Sequence, residues 1–314
     1  MGPIGHGGVS VVYRALDTLK ARPAAIKMLD PALAGDVRAQ EKIRREALIT
    51  DRVRHPSVPE VYEYGDAPLA DGSVIPYVVM ELIAGTVLAS QLAYGALPWP
   101  DAVRIAATVA DVLTVAHRRG VVHRDVSPAN IMMTVDGAKI IDFGVAVTVE
   151  PRSTGPFVLP PLEVHTNDFA GQGEPADDVY ALGVLLYQML TGRSPYPYPA
   201  GEPGLESATL RFVAPTPVLA VPGLPRPVAE ICRASMAKRP ADRPDASSVA
   251  LSLWSLIVPT PPSPSAEAGD LPKTERVRVG GHTGLHYAVP EPSAAPSGGR
   301  HRRQRPPARA HLNN

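Results

Sequence analysis

The sequence contains only one cysteine, Cys232, in 314 residues. A single thiol permits no internal disulfide and no cysteine-rich zinc site, and it is typical of a reducing compartment such as the cytoplasm. The chain also lacks net charge, because 31 Lys and Arg balance 31 Asp and Glu. Without an excess of either sign there is no overall field that attracts nucleic acid, and we expect no nucleic-acid partner.

Long apolar runs are absent as well. The most apolar stretch near the end, Val249 to Val258, is about half as long as the roughly 20 residues with which a helix crosses a bilayer. The N-terminus does not show the basic, apolar and small-residue order of a signal peptide. We therefore expect no transmembrane segment and a cytoplasmic protein.

The composition changes from residue 259 onward. Residues 259–314 contain ten prolines, few aromatic residues and no sustained hydrophobic period. They also contain eight basic and four acidic residues, which gives this segment a net charge of +4. Such a composition cannot bury enough apolar surface to offset the entropy of ordering, so 259–314 is predicted to be a disordered Pro/Arg-rich tail.

The rest of the chain divides into two parts by its hydrophobic pattern. Residues 1–82 alternate glycine turns and short β-branched runs around one helix, whereas residues 83–258 are mainly helical in pattern. Three strong helices are predicted. They cover residues 36–53 with Asp36 as the N-cap, 101–119 with Gly120 as the stop, and 178–191 with Gly192 as the stop. The sequence thus predicts an α+β fold with two lobes, a small β-rich N-lobe and a larger α-helical C-lobe.

The N-terminal segment is dense in glycine. Gly5, Gly7 and Gly8 are predicted to form one turn that leads into a β-branched strand containing Val12. Glycines let backbone N–H groups approach a phosphate, but an ordinary hairpin uses them equally well. The residues alone leave both interpretations open.

Lys27 ends a short strand, and Glu46 lies on the helix that follows. Three apolar residues share the helix face of Glu46: Ile43 lies three residues before it, and Ile49 and Val53 lie three and seven residues after it. This spacing places the Glu46 carboxylate on the apolar stripe of the helix. A buried carboxylate needs a cation, and Lys27 is the nearest candidate on a neighbouring strand. An ordinary surface ion pair is the alternative.

A second cluster follows the predicted helix stop at Gly120. Asp125 and Asn130 are five residues apart in a loop, and Asp142 ends an apolar strand 12 residues after Asn130. In this arrangement Asp125 can face a substrate hydroxyl while Asn130 and Asp142 hold Mg²⁺ on the phosphate oxygens of a nucleotide. Each residue alone is more typical of a turn or a cap, but the combination favours the nucleotide site.

Together these motifs resemble those of protein kinases. The chain has, in order, a glycine-rich loop, Lys27 in Ala-Ile-Lys, a helix glutamate, His-Arg-Asp at 123–125 and Asp-Phe-Gly at 142–144. Details such as the segment 239–244 are most similar to bacterial serine/threonine kinases of the eukaryotic (Hanks) type. The resemblance covers about 1–258 and implies the bilobal protein-kinase fold.

The resemblance implies an ATP-dependent phosphotransferase that acts on serine or threonine of a protein substrate, with Mg²⁺ as cofactor. Lys27 would contact the α and β phosphates, and Glu46 would orient Lys27. Asp125 would accept the proton of the substrate hydroxyl, and Asn130 and Asp142 would be the metal ligands. A dimer for autophosphorylation is also compatible with the family.

The resemblance also implies an adenine site between the lobes. Val12, Ala25 and Met132 would enclose the adenine ring. The backbone between Glu81 and Ile83 would form hydrogen bonds with its edge.

Three features depart from the family pattern. The chain begins almost on the glycine-rich loop, so most of the first strand is expected to be missing. Ser127 stands where a lysine is usual, which predicts a rate lower by on the order of 10²- to 10³-fold unless another cation substitutes. The segment 155–163 also differs, and either Pro156 or Thr154 takes the usual threonine position, depending on the alignment.

Two functions remain open at this point. The retained site residues favour an active kinase, whereas Ser127 and the altered segment favour a nucleotide-binding pseudokinase that serves as a signalling scaffold. An expected ion pair between Glu163 and Arg243, together with Arg124, favours a protein substrate over a small molecule.

Arg124 also suggests control by phosphorylation. An arginine beside the predicted catalytic aspartate is suited to bind a phosphate on the loop after Asp142. Ser153 and Thr154 follow Arg152 in the middle of that loop and are the predicted sites. The alternative is that both are plain polar loop residues.

Deletion of residues 260–314 should leave phosphoryl transfer unchanged, because the predicted tail contributes none of the motif residues. The measurement is kcat and KM for Mg·ATP of the full chain and of the shortened chain with the same protein substrate. A large loss of kcat in the shortened chain would contradict the prediction.

Overall fold

A five-stranded antiparallel sheet forms most of the N-terminal lobe. In the computed structural model the described residues are 2–143, 146–148, 173–196 and 215–257. The strands of this sheet are β1 (Pro3–His6), β2 (Ser10–Asp17), β3 (Arg22–Leu29), β4 (Val61–Pro68) and β5 (Val74–Glu81), in the spatial order β1-β2-β3-β5-β4.

The glycine-rich segment is split between a strand and a turn. Gly5 and His6 belong to β1, where Gly5 pairs with Val12 of β2 across a bulge. The turn itself is limited to 7–9 and is closed by a hydrogen bond from the Gly7 N–H to the Ser10 carbonyl, with N and O 2.7 Å apart. The expectation that all of these glycines lie in one turn is therefore wrong for Gly5, because cross-strand pairing extends the sheet into the glycine run.

Helix α1 (Val37–Arg52) crosses behind this sheet. It begins as expected, because the Asp36 carboxylate caps it by accepting the N–H groups of Arg38 and Ala39 at 2.9 and 3.1 Å. It ends shortly before His55-Pro56, where proline disfavours further helix. The prediction of a helix from 36 to 53 is confirmed to within one residue at each end.

The C-terminal lobe is built mainly from helices. They are α2 (Leu88–Leu92), α3 (Trp99–Arg118), α4 (Pro175–Thr191), α5 (Arg226–Ser235) and α6 (Ala246–Ile257). The predicted stop of α4 at Gly192 is confirmed, because this glycine has φ +70°, a conformation that side chains disfavour.

Five short strands lie in the described segments before α2 and between α3 and α4. They are β6 (Thr86–Val87), β7 (Val121–Val122), β8 (Ile131–Thr134), β9 (Gly137–Ile140) and β10 (Val147–Thr148). β8 and β9 form a hairpin, with Ile131 opposite Ile140. Because Asn130 precedes β8 and Asp142 follows β9, both residues lie at the same open end of this hairpin.

Within the described residues, two hydrophobic clusters form the core. The smaller one packs β3 and the first half of α1, with Leu29 and Ile43 at its centre. The larger one surrounds α3, in which ten residues are buried, and it extends to α4, α5 and α6. The predicted division into a β-rich and a helical lobe is confirmed.

None of the helices within the described ranges is both long enough and apolar enough to span a bilayer.

Gly183 lies where α4 and α5 approach most closely. A Cβ at this position would be 2.8 Å from Met236 Cγ and 2.9 Å from Ser235 Cβ, and Met236 is fully buried. We expect Gly183→Ala to lower the free energy of unfolding by about 1–2 kcal/mol, because the overpacking exceeds the gain in helix propensity. Urea denaturation measures this change.

Gly35→Ala is the matched control, because an added Cβ there has no atom within 4 Å. We expect this variant to match or slightly exceed the stability of the parent chain, since alanine restricts the unfolded chain. Equal stability of Gly183→Ala and Gly35→Ala would contradict the close packing of α4 on α5.

Candidate functional site

A buried ion pair joins β3 to α1. The Nζ of Lys27 donates to Oε1 of Glu46, and the two side chains are 13% and 5% exposed. The same Nζ lies 3.6 Å from Oδ1 of Asp142, which the other lobe contributes. The structure therefore brings Asp142, from the second predicted cluster, to the Lys27–Glu46 pair.

The charges of this group support one another. Burial alone would lower the pKa of Lys27, but the carboxylates of Glu46 and Asp142 outweigh that effect and raise it above its ordinary value. Burial raises the pKa of Glu46, and the Lys27 ammonium opposes this rise. The ammonium is thus fixed in its charged form at the back of the cleft, where it can bind an anion.

Asp125 and Asn130 lie at the two ends of one tight loop. The Asn130 Nδ2 donates to the backbone carbonyl and to Oδ2 of Asp125, at 2.9 and 2.8 Å. The N–H of Ile141 donates to the Asn130 carbonyl at 3.0 Å, which places Asn130 next to the residue that precedes Asp142. Asp125, Asn130 and Asp142 therefore belong to one continuous site.

Asp178 of α4 holds the loop that carries Asp125. This carboxylate is fully buried, and it accepts the backbone N–H groups of His123 and Arg124 at 2.8 Å each. Its Oδ2 is also 2.8 Å from Nε2 of His117 on α3. A buried carboxylate with three partners fixes the position of the loop relative to two helices.

The sequence interpretation missed this cluster in part. The predicted helix over 178–191 begins at Asp178, but no local sequence pattern indicated His117 as its partner. The signal was present, because Asp178 is followed by a run of apolar residues at core positions. The partners could not be identified, because His117 and Asp178 are 61 residues apart in sequence.

Arg124 departs from ordinary backbone geometry. Its φ is +69°, in the left-handed region that non-glycine residues rarely adopt, and its side chain is exposed. The aliphatic part of the side chain packs near Gly173, where a Cβ would lie 3.1 Å from Cδ. Ser153 and Thr154, the predicted phosphorylation sites, lie outside the described residues.

His123 is a buried ring beneath the loop. It packs on Phe143 with the ring centroids 4.6 Å apart, and its Nδ1 accepts the N–H of Asp125 at 3.2 Å. Burial lowers its pKa, which keeps the ring neutral and Nδ1 available as an acceptor. Its Nε2 is buried and has no hydrogen-bond partner within the described ranges.

The predicted adenine residues lie on both sides of the cleft. Val12 is directly opposite Lys27 in the β2–β3 pair, and Ala25 is two residues before Lys27, so all three side chains share one face of the sheet. Met132 belongs to β8 in the other lobe, where it pairs with Lys139.

The Glu81 side chain has a role that the sequence did not predict. Its Oε1 accepts a hydrogen bond from Lys139 Nζ, and its Oε2 accepts the N–H of Glu60 at 3.4 Å. Glu81 thus connects the end of β5 to β9. Its carboxylate is engaged, and its backbone N–H donates to the Glu60 carbonyl at 2.9 Å.

Arg243 is held by large-lobe groups. Its Nη1 donates to the Ala176 carbonyl at 2.8 Å and lies 3.4 Å from Oδ1 of Asp177, and its guanidinium stacks over the Tyr180 ring at 4.8 Å. The predicted partner, Glu163, lies outside the described residues.

No three His, Cys, Asp or Glu side chains in the described ranges form a group that could hold a metal ion by themselves. Mg²⁺ is commonly held by one or two protein ligands together with phosphate oxygens. Asn130 and Asp142 fit this type of site.

Comparison with known proteins gives one consistent result. Residues 1–255 match the family model described as protein kinase domain. The chain is 36% identical over 252 residues to the serine/threonine-protein kinase PknL of Mycobacterium tuberculosis, a match that covers 76% of this chain and 60% of PknL. It is 32% identical over 321 residues to the PknA kinase of the same species, which covers 98% of this chain and 73% of PknA.

A third relative is named probable serine/threonine-protein kinase PknB, from Corynebacterium glutamicum. It is 34% identical over 259 residues, which cover 76% of this chain but 39% of PknB. The chain thus spans between about two fifths and three fifths of the length of PknB and PknL.

The buried His123 predicts a specific pH dependence of stability. Because its folded-state pKa is lowered, its contribution is present above the unfolded pKa of about 6.5 and is lost as the pH falls below that value. We expect the free energy of unfolding to fall between pH 7.5 and 5.5, and to fall less in His123→Phe. Urea denaturation at several pH values measures both slopes.

His55 serves as an internal control in this experiment, because burial also lowers its pKa and it is present in both proteins. If the free energy of unfolding depends on pH equally in the parent chain and in His123→Phe, the pKa of His123 is not lowered by folding.

Proposed function

Because the chain belongs to the protein kinase family, we propose that it transfers the γ-phosphoryl group of ATP to serine or threonine hydroxyls of protein substrates. The observation that carries this proposal is the group formed by Lys27, Glu46 and Asp142. A charged ammonium is held between carboxylates from both lobes, in the cleft where a triphosphate would lie. Asp125 and Asn130 complete the site from the large lobe.

In this proposal Lys27 binds the α and β phosphates. Glu46 keeps the Lys27 ammonium in place, so that it need not be reoriented when the nucleotide enters. The glycine-rich segment with Gly5, Gly7 and Gly8 would cover the phosphates. Because glycine has no side chain, the backbone of this segment can approach them closely.

Asn130 and Asp142 are the proposed ligands of Mg²⁺. Because the Asn130 Nδ2 donates to Asp125, its amide oxygen is the atom that can ligate a metal. Bound Mg²⁺ would neutralise charge on the phosphate oxygens during transfer.

Asp125 is the proposed proton acceptor. The substrate hydroxyl oxygen forms the new bond to the γ phosphorus, the bond from that phosphorus to the β–γ bridging oxygen breaks, and ADP leaves. The hydroxyl proton goes to the Asp125 carboxylate. Asn130 restricts this carboxylate through Oδ2, and Asp178 fixes the loop beneath it.

The adenine site is proposed from the same geometry. Val12 and Ala25 would cover one face of the ring and Met132 the other. The backbone between Glu81 and Ile83 would bond the ring edge, since the Glu81 carboxylate is already engaged with Lys139.

The five site residues support an active kinase over the pseudokinase that Ser127 suggested, because Lys27 contacts Glu46 and Asp142, and Asn130 contacts Asp125. Since ATP is a cytoplasmic substrate, we place the activity in the cytoplasm. A second copy of the chain as a substrate for autophosphorylation stays a prediction.

The proposal is tested by phosphoryl transfer from labelled ATP with Mg²⁺ to serine- and threonine-containing peptides. We expect Lys27→Met and Asp125→Asn each to lower kcat/KM by about 10²-fold or more, since each removes a group that acts in the transition state. Mg·ATP should raise the Tm of the parent chain but raise it less in Lys27→Met and Asp142→Asn.

Lys20→Met is the matched control, because Lys20 is an exposed lysine in the turn between β2 and β3. It should match the parent chain in rate and in Tm shift. Equal rates for Lys27→Met and Lys20→Met would overturn the assignment of Lys27, and no transfer by the parent chain would overturn the proposed activity.

A further inference from the structure

Helix α1 packs into both hydrophobic clusters. Ile43, in its first half, belongs to the small-lobe cluster, whereas Ile49 and Val53, at its other end, belong to the large-lobe cluster. Glu46 lies between these two contact regions and faces Lys27. The position of Glu46 therefore depends on how both ends of α1 are held.

An arginine of the large lobe contacts the C-terminal end of α1. Nη1 of Arg119, the residue that follows α3, donates to the backbone carbonyl of Arg52, the last residue of α1. The last carbonyl groups of a helix have no partner within the helix and carry partial negative charge. A half-buried guanidinium is a strong donor to such a group.

Arg119 also leads directly to the catalytic loop. It precedes Gly120 and the buried strand β7, and Asp125 follows six residues after it. One residue thus connects the helix that carries Glu46 with the chain segment that carries Asp125.

A second contact joins the same regions. The N–H of Ile140, two residues before Asp142, donates to the Ser57 carbonyl at 2.8 Å. Ser57 lies just beyond α1. This backbone contact survives side-chain substitution, whereas a substitution of Arg119 removes its hydrogen bond to the Arg52 carbonyl.

We propose that Arg119 is a positioning residue for phosphoryl transfer. It holds the C-terminal end of α1 against the end of α3, which keeps Glu46 within reach of Lys27 while Asp125 stays aligned. This inference rests on the proposed function for its kinetic consequence. The contact itself is a property of the fold and can be measured without catalysis.

Arg118 provides the matched control. It is the adjacent arginine on α3, but its side chain is exposed. We expect Arg119→Met to lower kcat/KM for ATP about tenfold with little change in KM for the protein substrate, whereas Arg118→Met should match the parent chain. Arg119→Lys should recover part of the loss, because an ammonium can also donate to the Arg52 carbonyl.

A double-mutant cycle separates positioning from a general loss of stability. If Arg119 acts through Glu46, Arg119→Met should have little further effect on kcat/KM when Glu46 is already replaced by Gln. Additive losses in the double variant would overturn the proposal. Parent-like kinetics of Arg119→Met would overturn it as well.

Amide hydrogen exchange of the nucleotide-free protein supplies a readout that is independent of activity. Arg119→Met should increase exchange in the last turns of α1, residues 46–52, relative to Arg118→Met. Unchanged exchange there would overturn the contact whatever the kinetics show. An inactive parent chain with increased exchange in Arg119→Met would support the contact and would overturn only the proposed function.

Discussion

A lysine ammonium that is withdrawn from water needs a fixed anionic partner, and Lys27 has this partner on a helix 19 residues away in sequence. The pair with Glu46 requires that β3 and α1 stay in register, and the approach of Asp142 requires that the two lobes meet. Removal of one member of a buried pair typically costs about 3–5 kcal/mol, because the other charge remains unpaired. The cleft is organised around this pair.

The large lobe supplies the second fixed point. Asp178 is fully buried and holds the backbone of the loop before Asp125, and His117 holds Asp178 from α3. The loop is therefore fixed through its main chain, while Asp125 itself is exposed. Rigid support beneath an exposed carboxylate is the arrangement that a transfer reaction between two bound molecules needs.

Local features of the sequence predicted much of this structure. Asp36 predicted the start of α1, Gly192 predicted the stop of α4, and the apolar spacing around Glu46 placed that residue on the inner face. Each of these rests on interactions within a few residues, so a single sequence contains the necessary information. The extension of β1 through Gly5 was missed, because strand pairing depends on the register of a second strand.

The sequence by itself determined the residue types of the site and their order, because the motifs around Lys27, Asp125 and Asp142 are each local. Only the tertiary structure decided the partners: the Glu81 carboxylate with Lys139, His117 with Asp178, and Arg119 with the end of α1. These contacts join residues 58, 61 and 67 positions apart. The hydrophobic packing of the lobes brings such residues together. A local sequence pattern does not show which surfaces will be in contact.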